Sequence, residues 1–111
     1  MIEDLNDIMP GDVIMKTRYK NKKTYVCIDT NLNGDDEYYS NITVVDKKEI
    51  DKYLKDSAYG NCIINEDMFE TVMIVDQYDR RDFDLLDEKY KIFKAYVIEK
   101  ENTKNDKTGT D

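Results

Sequence analysis

No histidine occurs anywhere in the 111-residue chain. That removes the commonest general base, so Ser40 and Ser57 have no imidazole to activate them. It also leaves a structural zinc site without its ligands, because Cys27 and Cys62 stand in unlike contexts and form no Cys-x-x-Cys pair. Neither cysteine sits in the electropositive helix-start context of a reactive thiol, and both read as small core residues. No apolar stretch approaches the roughly 20 residues needed to span a bilayer. Met1-Ile2-Glu3-Asp4 lacks the basic start and apolar run of a signal peptide, so the expected location is cytoplasmic. Internal repeats and linkers are missing too, which argues for one folding unit.

Positive charge is in short supply: 17 Lys and Arg against 25 Asp and Glu give a net charge of −8. Non-specific binding to nucleic acid rests on Lys and Arg displacing counterions from phosphates, so direct affinity for nucleic acid is not expected. Hydrophobic residues make up 40% and charged residues 38%, a charge content above that of an average domain, but twelve aromatics and eleven Ile argue against disorder. A chain of this size buries about two thirds of its unfolded surface in a single core. The expected organisation is one domain over residues 1–100 and a flexible tail over 101–111, which has no apolar anchor. Lys outnumbers Arg by 14 to 3 and Asn, Ile and Tyr abound. This is the bias of an AT-rich coding sequence and points to a low-GC bacterium or its phages.

Along the chain, Ile2, Leu5, Ile8 and Met9 have near-helical spacing, which predicts a short helix near 2–9 stopped by Pro10-Gly11. Val13, Met15 and Tyr19 alternate with Lys16 and Arg18 as a half-buried strand requires. Thr24 to Thr30 repeats the alternation, Val26 and Ile28 against Tyr25 and Cys27, so the two runs predict an antiparallel hairpin. Asn33-Gly34 supplies the next turn, and Glu37 to Val45 reads as a third strand. The period then changes. Ile50, Tyr53, Leu54 and Ser57 share a helical face over 46–59, Asp46 with Glu49 makes a capping-box arrangement, and Gly60 is a natural stop. Asn61 to Asn65 reads as a short strand with Glu66 and Asp67 at a turn. Glu70 to Tyr78, apolar on both faces through Val72 to Val75, reads as a central strand. Phe83, Leu86 and Tyr90 predict a short helix near 79–90, and Lys91 to Lys100 the last strand.

These elements predict an α+β fold in a single small domain. A mostly antiparallel sheet of about six strands, strongly bent or partly closed like an SH3 barrel, follows from the short turns between sequential strands.

Charge runs in blocks: −4 over Met1 to Asp12, +5 over Lys16 to Lys23, −4 over Asp29 to Glu37, −7 over Glu66 to Glu88 and +3 over Lys89 to Lys100. Within 76–88, six acidic residues face only Arg80 and Arg81. On a helix Asp84 and Glu88 would be like charges at i,i+4, which brings no folding benefit. The candidate partner-binding residues are therefore Asp76, Tyr78, Asp79, Asp82, Asp84, Asp87 and Glu88, with Asp35, Asp36 and Glu37 as a second patch. Carboxylates in such numbers can imitate phosphates, and tyrosines beside them suit an interface.

Three motifs compete with that reading. Asp29-x-Asn31-x-Asn33-Gly34 matches the first half of an EF-hand calcium loop, but the twelfth position is Ser40 where a bidentate Glu is needed. A hairpin turn explains the same letters, so no metal and no cofactor are expected. Asp46-x-Lys48, downstream of Asp35 and Asp36, together with the order helix, three strands, helix, strand, resembles the core of restriction-endonuclease-type nucleases. That resemblance implies Mg²⁺ held by Asp36 and Asp46 with Lys48 assisting. In a chain with 25 acidic residues and 14 Lys, such triplets arise by chance. Pro10-Gly11-Asp12-Val13-Ile14 and the basic hairpin after it resemble the opening of SH3-like barrels, including the MazF/PemK toxin ribonucleases. Fewer than twenty residues are involved. Lys22-Lys23-Thr24-Tyr25 lacks that family's Arg-Pro step, so the resemblance implies a barrel-like sheet and nothing about catalysis.

The function expected first is that of a non-enzymatic acidic interaction protein. It would dock on a basic surface of a protein partner, such as a nucleic-acid-binding enzyme, as an inhibitor mimicking nucleic-acid charge of the phage or mobile-element type. An antagonist of host defence fits that description. The alternatives are a Mg²⁺-dependent nuclease and an accessory or recognition module that uses the basic hairpin 16–23.

Overall fold

Pro10 and Gly11 set the entry to the sheet. A computed structural model describes residues 2, 7–17, 22–32, 40–56, 60–73, 81–93 and 96–100. In it the Met9–Asp12 turn closes through Asp12 N–H donating to the Met9 carbonyl at 3.0 Å, and Gly11 takes φ +98°. A proline before a residue of positive φ is the pattern of a type II turn. The Asp12 carboxylate accepts the Met9 N–H at 2.9 Å and tightens the same turn.

The chain then runs through β1 (Asp12–Lys16), β2 (Thr24–Leu32), β3 (Ser40–Asp46), α1 (Lys47–Asp56), β4 (Asn61–Ile63), β5 (Glu70–Met73), β6 (Phe83–Phe93) and β7 (Val97–Lys100). A single 3₁₀ turn, Glu66–Met68, lies between β4 and β5. The strands form one seven-stranded open sheet in the order β4-β7-β6-β1-β2-β3-β5, and every pairing is antiparallel. This is a single compact α+β domain with one α-helix among the described residues.

Strand β6 explains the shape of the sheet. At 11 residues it pairs with β1 along its first part and with β7 along its last, which lets β7 and β4 extend the sheet beyond the β1–β2–β3 core. A register irregularity between Asp12 and Ile14 sits at the changeover.

Both faces of the sheet are apolar. One buries Ile14, Tyr25, Cys27, Ile42, Val44 and Phe83 under Ile2 and Ile8. The other buries Val13, Val26, Ile28 and Val45 with Ile50 and Leu54 of α1 and with Ile64, Tyr90 and Ile98. Strand alternation sends neighbours such as Val13 and Ile14 to opposite clusters, so the first three residues of β1 are all buried where half-burial is expected from its sequence.

Several expectations change. Residues 83–90 are strand, not the helix predicted near 79–90. Phe83 packs in the first cluster while Leu86 and Tyr90 pack in the second, so the spacing that suggested one helical face comes from two faces of a strand. The predicted last strand is two: β6 ends at Phe93, and the chain turns through Tyr96 at φ +57° into β7. The strand beginning at Glu70 is at the edge of the sheet order, not its centre. An open order with ends at β4 and β5 replaces the partial barrel. The main helix is described over 47–56, and the hairpin of β1 and β2 forms as expected. The helix predicted near 2–9 and the tail 101–111 fall largely or wholly outside the described residues.

Candidate functional site

The acidic candidates that the structure describes lie at the start and middle of β6. Asp82 precedes the strand, and its carbonyl accepts both the backbone N–H of Thr17, at 2.7 Å, and the Thr17 hydroxyl, at 3.2 Å. Asp84 is half-buried, whereas Asp87 and Glu88 are exposed. In an extended strand Asp84 and Glu88 stand on the order of 13 Å apart, so the i,i+4 repulsion expected of a helix does not arise. Asp76, Tyr78, Asp79, Asp35, Asp36 and Glu37 lie outside the described residues.

Glu88 belongs to a polar network between β6 and α1. Lys47 Nζ reaches Asp51 Oδ2 at 2.6 Å, one helical turn on, and Glu88 Oε2 at 3.4 Å. The Tyr90 hydroxyl donates to the other oxygen of Asp51. Burial alone pushes the Asp51 carboxyl upward, but donation from Lys47 and Tyr90 outweighs it and holds Asp51 below the ordinary carboxylate value. Burial and then the Asp51 carboxylate raise the Tyr90 phenol far above its usual range. The network ties α1 to the long strand at the point where β6 leaves β1 for β7.

A second grouping lies on β2, β3 and β5. Register places Tyr25 opposite Asp46 and Val44 opposite Glu70, which brings both carboxylates toward Lys23. Its ammonium lies 3.8 Å from Asp46 Oδ2, 3.7 Å from Glu70 Oε2 and 5.3 Å from the centre of the Tyr25 ring. A third pairing joins Lys89 to the buried Asp12 at 3.1 Å.

The residues named for a nuclease are used structurally where they are described. Asp46 ends β3, and its Oδ1 accepts the Lys48 backbone N–H at 2.9 Å, which makes it the cap of α1. Lys48 is exposed, and Asp36 is outside the described residues. Asp29 and Asn31 of the calcium-loop pattern lie within β2, which runs on to Leu32, and Asn33 and Gly34 lie outside the described residues. Among the described residues no three His, Cys, Asp or Glu side chains are grouped to hold a metal ion. Of the basic hairpin, Lys16 N–H donates to the Lys23 carbonyl at 2.8 Å, and residues 18–21 are not described. Among the described residues no helix is long and apolar enough to cross a membrane.

Sequence reasoning passes over Asp51, Tyr90 and Lys47 as a unit. The Lys47/Asp51 spacing on a predicted helix is a local signal for half of it. Contact with Tyr90 spans 39 positions and leaves no local trace. Comparison of the chain with protein-family models, with curated proteins and with solved structures finds no significant match.

Proposed function

We propose that the chain is a non-enzymatic acidic interaction protein whose carboxylates dock on a basic surface of a protein partner, in the manner of an inhibitor presenting nucleic-acid-like charge. One observation carries the reading: Asp84, Asp87 and Glu88 all fall within the first six residues of an 11-residue strand. Strand interiors select against Asp and, less strongly, Glu, so local preference gives no reason for three carboxylates there. Negative charge also exceeds positive in the two ion-pair groupings. Lys47 is shared by Asp51 and Glu88, and Lys23 by Asp46 and Glu70, so each grouping keeps one net negative charge.

A surface of this sign steers a basic partner and speeds association. A nucleic-acid-binding enzyme is the partner class that the charge fits; Asp82, just before β6, joins the proposed surface by its position, and Asp76, Tyr78, Asp79, Asp35, Asp36 and Glu37 join it on their sequence alone. A cytoplasmic setting and a phage or mobile-element origin belong to the same proposal. The capping and pairing of Asp46 favour this reading over a Mg²⁺-dependent nuclease. The test is a variant carrying Asp84→Asn, Asp87→Asn and Glu88→Gln. It should stay folded and associate more slowly with its partner, with wild-type binding weakening as salt rises. Unchanged affinity in the variant contradicts the site.

A further inference from the structure

We propose that β4 is a pairing edge at which a second copy of this chain adds its own β4, antiparallel and centred on Cys62. β4 is the end strand of the sheet order, and among the described residues no strand lies beyond it. Its ladder to β7 uses residues of even number: Lys100 N–H donates to the Gly60 carbonyl, Ile64 N–H donates to the Tyr96 carbonyl, and Cys62 pairs with Ile98 between them. Antiparallel alternation therefore turns the N–H and C=O of Asn61 and Ile63 away from β7. These are two donors and two acceptors spaced to bond an identical strand.

The side chains favour the same occupant. Edge strands are ordinarily blunted by charge, and charged residues make up 38% of this chain, yet Asn61-Cys62-Ile63 has none. Two copies of net charge −8 repel each other overall, and a locally neutral seam such as β4 adds nothing to that repulsion. Ile63, at 71% exposure, is the most exposed large apolar residue described; it lies in register with Val97 and, across β7, with Phe93 at 48%. Pairing about Cys62 sets Asn61 opposite Ile63 of the copy and continues the apolar row into the copy's Asn61, Glu99 and Lys91, where the two charges are of opposite sign.

In that register Cys62 faces Cys62 of the copy as a non-hydrogen-bonded pair. Such pairs have a Cα separation of about 4.5 Å, within the range a disulfide spans. Diamide should then join the two thiols, itself accepting the two electrons and two protons, and give a covalent dimer through Cys62 alone because Cys27 is buried.

The experiment is sedimentation of the full chain over a range of concentration and salt, with diamide cross-linking alongside. The expected result is a weak dimer that tightens as salt screens the repulsion between two acidic chains. This is opposite to the salt response expected of docking on a basic partner, so the two proposals fail separately. Ile63→Pro removes the outward N–H without touching the ladder to β7 and should weaken the dimer by on the order of tenfold or more. Ile63→Lys, which keeps the backbone, should do the same if the proline variant fails to fold. Cys62→Ala should abolish the cross-link and leave the reversible dimer. A chain that stays monomeric at high concentration and salt, a dimer indifferent to Ile63→Lys, or a dimer that does not cross-link through Cys62 overturns the proposal.

Discussion

The Tyr90 carbonyl stands where a side chain on Gly11 would begin, leaving no room for one. A Cβ there would meet that oxygen well inside 3.0 Å, while Tyr90 N–H donates to the Gly11 carbonyl at 2.8 Å and Gly11 N–H to the Cys27 carbonyl at 2.8 Å. Gly11 thus joins β6 to β2 through its own backbone, in a conformation at φ +98° that L side chains rarely adopt. Gly11→Ala should cost at least about 2 kcal/mol, from the strained φ and the displaced strand together. Chemical denaturation of the variant checks this, with an unchanged midpoint as the contrary result.

Tyr90 and Asp51 should be coupled. Tyr90→Phe leaves Asp51 and Lys47 in place but removes a hydrogen bond to a charged acceptor, a loss of about 1.5 kcal/mol. The Asp51 carboxyl is depressed in the folded state, so its contribution is present above the ordinary value of 3.8 and disappears as pH falls through the lower folded value. Wild type should therefore be more stable than Asp51→Asn near neutrality, with the gap closing in acid. Urea titrations at several pH values measure it, and a gap independent of pH speaks against the network.

The thiols should differ in reactivity. Burial, with Asp12 and Asp29 adding, pushes the Cys27 thiol up to about 12, whereas Cys62 is half-buried, and burial raises its thiol as well. Iodoacetamide should modify Cys62 first and Cys27 only on unfolding, as mass spectrometry of the native protein would show. A thiol raised in the folded state stabilises the fold below its unfolded value of about 9 and loses that contribution as pH climbs toward 12. Cys27→Ala should flatten that alkaline decline.

Asp46 separates a cap from a catalyst. Asp46→Ala should cost about 1 kcal/mol, and Asp46→Asn much less, because the amide oxygen still accepts the Lys48 N–H. Lys48→Ala should change neither stability nor any cleavage of labelled DNA or RNA with Mg²⁺. Mg²⁺-dependent cleavage that Lys48→Ala abolishes would restore the nuclease.

The sheet's antiparallel character, the hairpin of β1 and β2 and helix α1 are legible in sequence because each is specified locally, by alternation, by turn residues or by the Asp46 cap. β6 is not. Its irregular register and its passage from one strand partner to another give Phe83, Leu86 and Tyr90 a helix-like spacing, and no local rule distinguishes that from a helical face. The burial of β1 on both faces is hidden for a related reason, since Phe83, which shares a cluster with Ile14, arrives from a distant part of the chain. Of the candidate surface, the identity of the acids is plain in the letters. Their arrangement is not, because it depends on whether 83–90 is helix or strand.

On the proposed function, the carboxylates of β6 cover a basic surface of the partner that would otherwise hold nucleic acid. The most direct measurement is capture of host proteins by the immobilised chain, followed by elution with duplex DNA. Nucleic-acid-binding proteins should be retained at low salt, displaced by DNA, and lost when Asp84, Asp87 and Glu88 are neutralised. Retention that neither DNA nor neutralisation disturbs would contradict the account.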